Sequence, residues 1–123
     1  MMPNWNAIES SFLRQPHPQQ LGELASSLAR LKSWCQKNAN QEVVPVLLEE
    51  SLLYIELILR SDYTNDATEL TQIQDMLRGW QHNWSIICDN PTETATLAAK
   101  AATWSERVLD MSGLLVATDS MSA

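Results

Sequence analysis

Four stretches of this chain repeat apolar side chains at alternating steps of three and four, and the four repeats line up with one another. The first is Leu21, Leu24, Leu28, Leu31 and Cys35; the second is Val44, Leu48, Leu52, Ile55 and Leu59. The third is Leu70, Ile73, Leu77, Trp80 and Trp84; the fourth is Leu97, Ala101, Trp104, Val108 and Met111. An average step of about 3.5 residues is close to one α-helical turn, so each set forms a single stripe along one helix. Striped helices hide their stripes by packing together.

Antiparallel neighbours joined by a short turn pair residues whose numbers add to a nearly constant sum, and these stripes obey that rule. Turning the chain at 38–41 sets Leu31 opposite Leu48 and Leu28 opposite Leu52. Turning it at 61–66 sets Ile55 opposite Ile73 and Leu52 opposite Leu77, and a turn at 89–92 sets Leu77 opposite Trp104. Trp80 then falls opposite the small Ala101, the large-against-small matching that a densely packed core requires. The expectation is an all-α protein, an up-down-up-down four-helix bundle with a short extra N-terminal helix. Its central layer is Leu28, Leu52, Leu77 and Trp104.

A length of 123 residues suits one domain. Residues 1–15 are expected to carry the short helix, with Asn4 as its cap and Trp5, Ile8 and Phe12 on one face. A hinge at 16–18, a bundle over 19–116 and a frayed tail over 117–123 complete the division. Gln15-Pro16-His17-Pro18 stops the first helix, because proline donates no backbone hydrogen bond and biases its predecessor away from helix. The second helix is expected from about Pro18 to Asn38. The third runs from about Glu42 to Arg60, with Pro45 confined to its first turn. Asp66 with Glu69, and Asn90-Pro91 with Glu93, mark the starts of the last two helices, and Gly113 is a candidate final cap.

A formal charge of −7 and a pI near 4.6 set a field that repels polyanions, so nucleic-acid binding is not expected. Arg14, Arg30, Lys32 and Lys37 read as a solvated helix face. The apolar stretch from Val43 to Leu59 is broken by Pro45, Glu49, Glu50, Ser51 and Glu56, so no membrane span is expected. The N-terminus has no basic region followed by an apolar run, and the cytoplasm is the expected compartment. Cys35 and Cys88 are too widely spaced for a zinc knuckle or a CxxC pair, and both read as unlinked buried thiols.

No catalytic constellation stands out. His82 lies on a polar helix side one turn after Arg78, and lacks the lysine and glycine that follow the histidine of a phosphotransfer bundle. Neither histidine follows a glutamate at the Glu-x-x-His spacing of a di-iron bundle. Gly-rich phosphate loops, nucleophile elbows and HExxH are missing. No metal ligands and no cofactor are therefore expected. Trp80 and Trp84, which shares its layer with Cys35, are the candidate lining of a small-molecule pocket, although their stripe positions also suit core packing.

The third helix departs from a simple bundle. Twelve of the seventeen residues from Val43 to Leu59 are apolar, more than its five stripe positions use. Glu42, Glu49 and Glu56, seven residues apart, alternate with Val46 and Leu53, with Leu57 beside them. Either the first helix covers these apolar groups or a second protein does. The expected function is a non-enzymatic protein–protein interaction module of adaptor, regulatory or chaperone-like duty. It would bind a protein partner, or a second copy as a homodimer, through Val46, Leu53 and Leu57 with Glu42, Glu49 and Glu56 as an acidic rim. The alternative is a small-molecule-binding or enzymatic bundle built around Trp80, Trp84 and Cys35.

Overall fold

A computed structural model describes residues 4–36, 42–60 and 67–113. Five helices lie within them: α1 (Trp5–Leu13), α2 (His17–Cys35), α3 (Val43–Leu59), α4 (Ala67–Ile87) and α5 (Pro91–Ser112). There is no strand among the described residues. The expected turns at 38–41 and 61–66, the Asp66 cap and the tail over 117–123 lie outside them. Among the described residues no helix is long and apolar enough to cross a membrane.

Local chemistry sets the helix ends. The Asn4 side chain accepts from the Ala7 N–H at 3.1 Å and starts α1. Asn90 caps α5 by accepting from the N–H groups of Thr92 and Glu93 at 3.0 and 3.3 Å, with Pro91 in the first turn, where its missing N–H is not needed. Gly113 closes α5 at φ 77°, a left-handed conformation that glycine adopts without a Cβ clash. The expected hinge at 16–18 is narrower. His17 and Pro18 already belong to α2, whose first turn tolerates proline, and the Pro16 carbonyl accepts from Gln19 and Gln20.

The packing is bundle-like. α2 lies against α3 and, most extensively, against α5; α3 also packs on α4, and the contacts of α1 with α3 and of α4 with α5 are equally limited. Small residues let α2 and α5 approach: Ala25, Ala98 and Ala101 are buried, and the Ser105 hydroxyl donates to the Ala25 carbonyl at 2.7 Å. Leu21, Leu24, Leu28, Leu31, Val44, Leu48, Ile55, Leu70, Ile73, Leu77, Leu97 and Val108 form the interior as the stripes require.

Two features of the expected layers are corrected. On α3 the interior stripe runs through Ser51 and Ile58, both 0% exposed, while Leu52 and Leu59 are half-buried. Ser51 takes the central place because its hydroxyl meets that of Ser27 on α2 at 2.8 Å, which satisfies both groups away from water. The second correction concerns the fourth side of the bundle. With α5 drawn onto α2, the tryptophans that were expected to fill layers between α4 and α5, Trp80, Trp84 and Trp104, remain half-buried at the edge of the core.

Candidate functional site

α3 is contacted by α1, α2 and α4, which explains why apolar residues run so far around it. α1 is seated firmly at its C-terminal end. The Phe12 ring stacks on Tyr54 of α3 with centroids 4.4 Å apart and planes 7° from parallel. The Phe12 carbonyl, which accepts from the Gln15 N–H at 3.1 Å, also accepts from the side-chain amide of Gln20 at 3.1 Å. Leu57, three residues after Tyr54 on the same side of α3, is 4% exposed and belongs to the same core. Leu57 is thus an interior residue of the monomer rather than an uncovered one. Val46 and Leu53 are half-buried, and Glu42, Glu49 and Glu56 are exposed.

Between α1, α3 and α4 lies a groove of about 410 Å³, lined by Trp5, Glu49, Leu52, Leu53, Glu56, Gln74 and Arg78. Leu52, Leu53 and the Trp5 ring supply the apolar surface. Glu49 and Glu56 stand one heptad apart, and Glu56 is also paired with Arg60 one turn further on. Gln74 and Arg78, four residues apart on α4, share one helical face. The Trp5 indole N–H is shut off from water and has no hydrogen-bond acceptor. Of the acidic stripe, Glu49 and Glu56 reach this groove, and Glu42 and Val46 do not line it.

The tryptophans do not converge. Trp80 lines a second groove of about 460 Å³ with Asp75, Met76, Gly79, Asn83, Ile86, Ile87, Asn90 and Glu93, but Trp84 and Cys35 are absent from its walls. Trp84 and Cys35 instead pack half-buried against the core. Burial pushes the Cys35 thiol up to about 11, which suppresses the nucleophilic thiolate at neutral pH. His82 is exposed, and among the described residues no three His, Cys, Asp or Glu side chains converge as metal ligands would.

Trp5, Leu52, Gln74 and Arg78 are the groove residues that stripe analysis did not assign to it; the stripes place Leu52 in the central core layer. The signal for Arg78 was its four-residue spacing from Gln74; for Trp5 it was the apolar face shared with Ile8 and Phe12. No known protein family, no curated protein and no solved structure matches this chain, so its function must be read from this geometry.

Proposed function

We propose that α2 to α5 form an up-down-up-down four-helix bundle with α1 appended, and that the protein is a non-enzymatic, cytoplasmic protein-binding module. The groove between α1, α3 and α4 is its binding surface. The observation that carries this reading is the apolar surface of Trp5, Leu52 and Leu53 beside the carboxylates of Glu49 and Glu56. An apolar centre with a charged rim is the anatomy of a small protein interface, and the rim selects partners by sign. Arg60 pairs with Glu56 and Arg78 stands across the groove, so the preference for a basic partner rests on Glu49 and on the chain's net charge of −7. A homodimer with this groove at its centre would bring two acidic rims together, so a heterologous partner fits better than a second copy.

Affinity capture with the wild type, Leu53→Glu and Glu49→Lys tests the proposal, each variant first being checked for unchanged helicity and cooperative melting. Leu53→Glu places a charge that must lose its water when the groove is covered and should weaken binding about tenfold or more. Glu49→Lys reverses the rim at an exposed position and should release the same partner. A partner retained equally by all three chains overturns the assignment. Light scattering of the wild type decides between a homodimer and a heterologous complex. The rival reading, a small-molecule site at Trp80, Trp84 and Cys35, has only the Trp80 groove in its favour.

A further inference from the structure

The seat of α1 is uneven along its length. At one end Phe12 is 2% exposed, stacked on Tyr54 and held through its carbonyl by Gln20. At the other end Trp5 and Ile8 are half-buried while Asn6, Ala7 and Ser10 are exposed. Seating Trp5 leaves its indole N–H buried without an acceptor, which forfeits part of what covering the ring gains. α1 also supplies no positive charge to the groove. Between Trp5 and Leu13 it carries Glu9 and no lysine or arginine, so it adds nothing to offset Glu49, whereas Glu56 is paired with Arg60.

We propose that the Trp5 end of α1 is a placeholder, displaced when a partner lays a basic amphipathic helix on α3. The inference rests on the groove reading above and adds the partner's chemistry and the movement that admits it. α1 pivots on Phe12 and Arg14 to Pro16, and the partner's two apolar anchors, an aromatic and an aliphatic residue three positions apart, take the places of Trp5 and Ile8. Lysine or arginine stems next to those anchors lie along Leu52 and Leu53, with their charged heads at Glu49 and Glu56. The released segment unwinds, because a nine-residue helix off its support does not persist in water.

A fluorescently labelled synthetic helix with tryptophan and isoleucine three positions apart and lysines flanking them is titrated against the full chain. The Trp5→Ala chain should bind it about fivefold or more tightly than the wild type, since apparent affinity scales with the fraction of molecules whose seat is empty. Glu49→Lys should weaken it about tenfold. In the wild type, added peptide should speed hydrogen exchange at the amides of Ile8 to Phe12 while those of Leu48 to Ile58 stay protected. This measurement decides the matter even if Trp5→Ala fails to fold. Tightening by Trp5→Ala together with accelerated exchange supports the placeholder. Unchanged or weaker binding by Trp5→Ala, or retained protection in α1, overturns it; sensitivity to Glu49→Lys would then leave the groove reading intact with α1 as a fixed wall. Equal binding of a scrambled peptide of the same composition overturns it too. No binding to any chain removes the placeholder and the basic partner together.

Discussion

The buried serine pair offers the sharpest test of the packing. Ser27 and Ser51 are both 0% exposed and their hydroxyls lie 2.8 Å apart between α2 and α3. Replacing one by alanine removes a hydrogen bond and leaves the other hydroxyl in a dry interior, a loss of about 1–3 kcal/mol. The orphan can turn back to the carbonyl four residues earlier in its own helix, Glu23 for Ser27 and Leu47 for Ser51, which draws the expected cost toward about 1–2 kcal/mol. Removing both hydroxyls leaves nothing unsatisfied and only a small void, so Ser27→Ala/Ser51→Ala should be less destabilised than the sum of the singles by about 1 kcal/mol or more. Against a total stability of roughly 6–18 kcal/mol for a chain of this length, each single change is measurable. It corresponds to a fall in Tm of about 3–5 °C per kcal/mol. Urea and thermal unfolding of the four chains close the double-mutant cycle. Additivity within error would refute the pairing and with it the placement of Ser51, rather than Leu52, at the centre of α3.

The alkaline limb of stability should report on Tyr54. Burial, then the charges of Glu50 and Glu23, push its phenol up to about 12 against the opposing effect of Arg30. The folded state therefore holds the proton that the unfolded state releases near pH 10, so stability is full below that pH and falls as pH climbs toward 12. Tyr54→Phe should lose less stability than the wild type across that window, and equal slopes would refute the burial of the phenol. Cys35, raised to about 11, should react with a thiol reagent at pH 8 about a hundredfold more slowly than the same residue in the unfolded chain. Modification at the unfolded rate would place that thiol in solvent.

The fold was legible wherever one stripe was the sole way to bury a helix. On α2, Leu21, Leu24, Leu28 and Leu31 are apolar among polar neighbours, and all four are buried. α3 offered no such contrast: with apolar groups on nearly every side, periodicity put Leu52, rather than Ser51, in the central layer. The deciding group was Ser51, whose polarity argued against the core until a second serine supplied its hydrogen bond. Periodicity reads one helix at a time and cannot see that partner. The same limit explains α5, whose alanines permit a close approach to α2 that leaves Trp80, Trp84 and Trp104 at the periphery. Of the groove, Leu53, Glu49 and Glu56 were visible in the sequence as an acid-flanked apolar edge. Arg78 came from another helix and Trp5 from a segment whose seat no spacing rule fixes.

The excess of apolar residues on α3, which first suggested a partner, is mostly consumed inside the chain by α1, α2 and α4. This bears on what the groove alone can hold. A specific interface takes about 800 Å² from each partner, and weak encounters take less. Val46, Leu52, Leu53 and Trp5 are already half-buried, and among the described residues the exposed large apolar side chains are Leu13 and Ile86, neither of which lines the groove. With α1 in place, the surface between α3 and α4 is therefore sized for a single inserted side chain or a short peptide, and a partner bound there would leave quickly. A long-lived complex needs more of α3, and the wall that α1 supplies to the groove is Trp5. If the groove binds a partner as proposed, affinity and movement of α1 are linked: a partner that binds tightly must lift the Trp5 end, and one that leaves it seated must bind weakly.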